Sequence, residues 1–243
     1  MPAITVDLFI PCFVDQMYPQ TGFNVIKLLE KAGCKVNYNP NQTCCGQPAF
    51  NAGFWDEART VGEKFIKDFD GGQRYVVAPS GSCVGYVRGF YSELFDNSVH
   101  HNDCKQLQKN TFELGEFLVD VLNFTDFGAE LNGTATYHDA CGALRECNVK
   151  TQPRTLLSKV KGLTLNEMKE SETCCGFGGT FAVKFESISS AMGVSKIENA
   201  TATESDYLIS TDLSCLMHLE GIIKKQNKPI RIMHLADVLC SGW

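Results

Sequence analysis

The chain has no uninterrupted apolar run of the ~18–20 residues that a bilayer-spanning helix requires, so no membrane span is expected. Basic residues are in deficit, with 22 Lys and Arg against 28 Asp and Glu and a formal net charge of −6. No basic stripe is on hand to replace the counterions of a phosphate backbone, which excludes nucleic acid as an expected partner. The opening MPAITVDLFIPCF has no basic region ahead of its apolar stretch and contains Asp7, so it does not read as a secretory signal, and a cytoplasmic location is expected. No paired C-x₂₋₄-C knuckle of the kind that builds structural zinc sites occurs, and the C-x₂-C-x₂-C run of bacterial ferredoxins is missing too. The run Gly176-Phe-Gly-Gly179 lacks the Lys-Ser/Thr of a phosphate loop and the full spacing of a dinucleotide fingerprint. It reads as backbone clearance.

What is abundant is cysteine, twelve in 243 residues. Six disulfides would suit a small secreted scaffold, but the cytosol keeps thiols reduced, so metal or redox use is the stronger expectation. The cysteines are also ordered. Thr43-Cys-Cys-Gly46 returns as Thr173-Cys-Cys-Gly176, 130 positions later. Cys12 answers to Cys141, and Ser80-Gly-Ser-Cys83 to Asp212-Leu-Ser-Cys215. Further on, Leu118–Leu122 (LVDVL) resembles Leu235–Leu239 (LADVL) at an offset of 117, which implies about 15 extra residues in the first half. The polar stretch Asn97–Asn110 is the place for them.

The hydrophobic pattern alternates between strand and helix. In the first half, Ile4–Ile10, Lys35–Tyr38 and Arg74–Ala78 read as strands. Helices are expected over Gly22–Ala32 and Trp55–Phe69, and from Cys83 to Phe95. In the second half, Thr134–His138, Leu163–Met168 and Asp206–Ser210 read as strands. There helices are expected over Pro153–Lys161, with Gly162 just past the end, over Phe185–Ala200, and from Cys215 to Lys225. This predicts an α/β fold made of two tandem, duplicated βαβ-type (Rossmann-like) parallel-sheet modules, residues 1–126 and 134–243.

In such a sheet every loop after a strand lies at the carboxyl edge, where ligands bind. Cys12, Cys44, Cys45 and Cys83 follow strands in the first half; Cys141, Cys174, Cys175 and Cys215 do so in the second. Neighbouring strands lie ~4.8 Å apart, so four thiols from three strand ends can meet on one object. Thiolates suit zinc, copper(I) or an iron–sulfur cluster, and the wide spacing favours a cluster assembled by the fold. Gly46 and Gly176, which have no side chain, let the backbone approach sulfur closely. A zinc-stabilised structural protein and a thiol–disulfide enzyme acting through the Cys-Cys pairs are the alternatives. Cys34, Cys104, Cys147 and Cys240 have no counterpart and read as ordinary thiols. His138, in YHDAC, reads as a satisfied structural histidine. His218 aligns with Tyr86 and reads as packing, and His100-His101 as solvated. Phe9, Phe13, Phe50, Phe54, Phe177 and Phe181 read as core.

The spacings C-x₃₁-C-C-G-x₃₆-C and C-x₃₂-C-C-G-x₃₈-C resemble the tandem cysteine-rich CCG domain found in heterodisulfide reductase and in the iron–sulfur subunit of glycolate oxidase. With FIPCFVDQMYP, YHDACGALRE and STDLSCLMHLEG, the chain is most similar to the lactate-utilization protein A family over nearly its whole length. The resemblance implies one or two iron–sulfur clusters, of the 4Fe–4S type. It also implies a ferredoxin-like iron–sulfur partner subunit, a third subunit and oxidation of L-lactate to pyruvate. One departure stands out. Ser80 and Asp212 occupy the places where the heterodisulfide reductase pattern has a further cysteine, so four thiols per half remain, with a serine or aspartate oxygen as a weak substitute.

Overall fold

The computed structural model describes residues 4–243. The first half runs β1 (Thr5–Leu8), α1 (Cys12–Met17), α2 (Pro19–Lys31), β2 (Lys35–Tyr38), α3 (Gln47–Ala52), α4 (Trp55–Asp68), β3 (Tyr75–Ala78), α5 (Gly81–Phe95), α6 (His101–Asn110), β4 (Thr111–Glu113) and α7 (Leu114–Glu116). The second half runs β5 (Glu130–Tyr137), a wide turn over Gly142–Glu146, α8 (Thr151–Leu157), β6 (Lys161–Leu165), α9 (Thr180–Lys184), α10 (Glu186–Thr201), β7 (Tyr207–Ser210), α11 (Leu213–Lys225), β8 (Arg231–His234) and α12 (Leu235–Leu239).

Each half forms a four-stranded, all-parallel sheet, in the order β2-β1-β3-β4 and again β6-β5-β7-β8. The duplication extends to individual hydrogen bonds. Phe9 N–H donates to Val77 O at 3.0 Å, and His138 N–H donates to Ile209 O at 2.8 Å, each one residue past the first strand of its half. The sheets are apolar inside because helices cover them, with Val6, Leu8, Val76 and Val77 buried in one and Ala135, Leu208 and Ile209 in the other. The sheet of the first half also buries Asp7, which Arg74 Nε pairs at 2.9 Å.

Several expectations shift. The helix expected from Gly22 begins at Pro19, where proline's fixed φ suits the first turn. Strands β4 and β8 complete the sheets and were not expected; each is only three or four residues long and ends directly in a helix. The helix expected at Pro153–Lys161 stops at Leu157, and its strand partner starts at Lys161 rather than Leu163. Gly162 therefore lies inside β6, opposite the register shift of β5 between Glu130 and Gly133. The inserted stretch 97–110 contains α6, an amphipathic helix that buries Cys104 and Leu107.

The later repeat is also out of register by one helical turn. Glu113 closes β4 opposite Ala78, and His234 closes β8 opposite Ser210. Both cap the helix that follows: Glu113 accepts from Gly115 and Glu116 N–H, and His234 Nδ1 accepts from Ala236 N–H. The true offset is thus 121 (234 less 113), which aligns Leu114–Leu118 with Leu235–Leu239. Among the described residues no helix is long and apolar enough to cross a membrane.

Candidate metal centre

The loops after β1, β2 and β3 place Cys12 at the start of α1, Cys44 and Cys45 ahead of α3, and Cys83 in the first turn of α5. The second half repeats this with Cys141 at its wide turn, Cys174 and Cys175 ahead of α9, and Cys215 in the first turn of α11. All eight line one cleft of about 350 Å³ that both halves enclose. Phe13 and Phe177, one from each half, close against each other at its wall, ring centroids 5.5 Å apart.

Within each half the sulfurs form a chain of contacts. Cys44 sits between Cys12 and Cys45, and Cys45 between Cys44 and Cys83. Likewise Cys174 sits between Cys141 and Cys175, and Cys175 between Cys174 and Cys215. The hydrogen bond from the Cys12 thiol, then that from Cys45, pulls Cys44 down to about 3, against the opposing effect of burial. The Cys141 thiol, then Cys175, acts on Cys174 in the same direction. The donors respond in the opposite sense: Cys12 and Cys45 are raised by their bonds to Cys44, and Cys141 and Cys175 by theirs to Cys174. Such crowding by sulfur stabilises negative charge on one thiol per half and suits a cation held among them. All twelve cysteines are free thiols.

Backbone amides add to this. Gly46 N–H donates to Cys44 Sγ and Gly176 N–H to Cys174 Sγ, each at 3.4 Å. Phe177 N–H reaches Cys175 Sγ at 3.5 Å. Both glycines are left-handed, φ +96° and +94°, and a Cβ on Gly176 would lie 2.5 Å from Ser189 O. Cys83 and Cys215 occupy the positive ends of α5 and α11, which favour anionic sulfur.

Ser80 and Asp212 border the cleft, and their oxygens are engaged at helix ends. Ser80 Oγ caps α5 by accepting from Cys83 N–H at 3.4 Å. One oxygen of Asp212 caps α11 by accepting from Ser214 N–H at 3.2 Å, and the other accepts Ser82 N–H of the opposite half at 2.9 Å. Their oxygens are occupied by helix ends and by the seam between halves. The halves pack closely there: a Cβ on Gly81 would lie 2.4 Å from Ala143 Cβ, and one on Gly142 2.7 Å from Ser82 Cα.

His138 is not a satisfied histidine. It is fully buried, and neither ring nitrogen has a hydrogen-bond partner among the described residues. A ring nitrogen and the sulfurs of Cys175 and Cys215 all lie within 4.8 Å of one another. Burial, then the charge of Lys196, pushes its pKa down to about 4, so the imidazole is neutral. Lys196 is itself buried and donates to the carbonyls of Glu170 and Ser171. Sequence reading undervalued His138 because a lone histidine gives no spacing signal; its place beside Cys141 in YHDAC was the available hint.

The unmatched thiols stay away from the cleft. Cys34 precedes β2 at the opposite edge, Cys104 is buried in α6, Cys147 contacts Gly81 O, and Cys240 contacts Asn24 O. Gly178 and Gly179 border the cleft as backbone. His218 packs against Phe177, ring centroids 6.0 Å apart. His100 and His101 are half-buried, and His101 pairs with Asp96 at 3.5 Å. Of the six phenylalanines only Phe9 is fully buried; Phe54 is 59% exposed and lies outside the core.

Two like modules, each delivering four thiols from its strand ends into a shared cleft, define a tandem cysteine-rich-domain protein. The cysteine-rich domain model CCG matches residues 6–88 and again 135–220. "Lactate utilization protein A 2" of Bacillus cereus (strain AH820) is 40% identical over 238 residues, 98% of each chain. "Lactate utilization protein A" of Geobacillus sp. (strain WCH70) is 43% identical over 236 residues, 97% of this chain and 99% of its own. The chain belongs to the lactate utilization protein A family. A crystal structure of a hypothetical protein from Helicobacter pylori has the same fold, with a TM-score of 0.66 at 15% identity; the match covers 98% of this chain and 49% of that one.

Proposed function

We propose that the protein is an iron–sulfur electron-transfer subunit of a cytoplasmic system that oxidises L-lactate to pyruvate. Its modules, residues 1–126 and 134–243, each hold one centre, of the 4Fe–4S type. Cys12, Cys44, Cys45 and Cys83 are the ligands of the first; Cys141, Cys174, Cys175 and Cys215 are those of the second. The observation that carries this reading is the convergence of these eight thiols on one cleft while the other four cysteines lie elsewhere. The donor set fits the group: four sulfurs linked in a chain of contacts per half, a glycine amide directed at one of them, and a helix N-terminus behind another. The names of the relatives supply lactate as the substrate of the system.

When bound, a cluster exchanges single electrons. The protein's own part is to hold the sulfurs, direct N–H groups at them and limit water, all of which set the potential. Because both sets of thiols face one cleft, an electron entering at one centre has a short path to the other. A ferredoxin-like iron–sulfur subunit and a third subunit complete the system, which leaves this chain to relay electrons.

Anaerobic purification tests the reading. The protein should be brown, with broad visible absorption, and should contain iron and acid-labile sulfide. Mixed with its partner subunits, it should bleach on addition of L-lactate. A colourless zinc protein, or a metal-free one whose thiols cycle through disulfides, would overturn it.

A further inference from the structure

The two centres are built alike in sulfur and differently in what stands behind it. Phe9 and His138 hold the same place, since each donates its backbone N–H to the neighbouring strand one residue past β1 or β5. The helices behind them match as well. A Cβ on Gly46 would meet Ala58 O and Val61; one on Gly176 would meet Ser189 O and Met192. That interval of 131 puts Lys196 at the position of Phe65. In the first half Phe9 and Phe65 pack edge to face, with centroids 4.8 Å apart. In the second half the aromatic pair is replaced by a histidine and a lysine side chain, both buried.

We propose that the His138 imidazole supplies a nitrogen ligand to the metal centre of the second half, a fifth ligand added to the four thiols and next to the sulfurs of Cys175 and Cys215, and that the first half has no such ligand. The proposal rests on the iron–sulfur reading above. A neutral imidazole has one lone pair to give, and a buried ring nitrogen without a partner is costly unless something accepts that pair. Ligands sharing one metal at ~2.0–2.3 Å stand a few Å apart, which the 4.8 Å limit for the nitrogen and both sulfurs accommodates. Phe9 offers no donor, so the first centre is held by sulfur alone.

The test is pulsed EPR on full-length protein labelled with ¹⁵N-histidine, purified anaerobically and measured both dithionite-reduced and oxidised. A strongly coupled imidazole nitrogen is expected in the wild type and in Cys45→Ser. It should be retained in His218→Gln and lost in His138→Phe. A wild-type protein containing iron and sulfide but showing no strongly coupled nitrogen overturns the inference, and so does coupling that vanishes in His218→Gln instead. The wild-type spectrum decides even if His138→Phe does not fold. A protein without iron and sulfide would contradict the proposed function itself.

Discussion

The Ser80 hydroxyl donates to the Asp212 carboxylate at 3.3 Å, joining two residues that occupy the same position in the two halves. Each caps the helix that carries the last thiol of its module, Cys83 on α5 and Cys215 on α11. The contact therefore sits where the duplicated units meet, and it ties the two sulfur sets to one rigid seam. Asp212 is 1% exposed, and both of its oxygens accept hydrogen bonds.

Asp212→Ala removes a helix cap and the charged acceptor of Ser82 N–H together. A loss of about 3 kcal/mol in unfolding free energy is expected, read from urea denaturation. With these oxygens serving as helix caps, iron per folded chain should stay at the wild-type level. Loss of iron without loss of stability would assign Asp212 to the centre.

The two glycines of the Cys-Cys-Gly motifs differ in clearance. A Cβ on Gly176 lies 2.5 Å from a backbone oxygen, whereas one on Gly46 lies 3.3 Å away. Both substitutions to alanine also carry the strain of a left-handed backbone, about 1 kcal/mol. Gly176→Ala should therefore destabilise more than Gly46→Ala, by about 1–2 kcal/mol in denaturant unfolding. Equal effects would mean that the α10 backbone moves aside freely.

Glu113 is fully buried at the end of β4, and burial, reinforced by Glu116 and Asp212, pushes its carboxyl up to about 8. The unfolded chain loses this proton near pH ~4.3. Between about pH 4.5 and 8 the native state holds one proton more, so this group makes stability fall as pH rises through that window. Glu113→Gln keeps the neutral form and removes that slope. Urea midpoints across the window should show the variant gaining on the wild type as pH rises; a constant difference would contradict a protonated Glu113.

Much of the site was legible because cysteine spacing survives translation along the chain. Cys12, Cys44, Cys45 and Cys83 recur with nearly fixed intervals, and alternating apolar runs placed them after strands, where the structure has them. Other features depend on register, which a pattern of residue types does not carry. Strands β4 and β8 were missed because three or four residues running straight into a helix show no period of two. The LVDVL–LADVL likeness pointed one turn too far, since either turn of an apolar helix matches equally well; only the caps at Glu113 and His234 set the alignment. The equivalence of Phe9 with His138 emerged only from the ladder hydrogen bonds. The capping by Ser80 and Asp212 was hidden because a polar residue in place of cysteine looks the same whether it binds metal or ends a helix.

The most direct test is the iron and acid-labile sulfide content of anaerobically purified wild type, Cys45→Ser, Cys175→Ser and the double variant. If each half holds its own centre, each single variant should keep about half of the wild-type iron and sulfide, and the double variant almost none. Both single variants losing everything would mean one shared centre spanning the cleft, and neither losing any would remove these thiols from metal binding altogether.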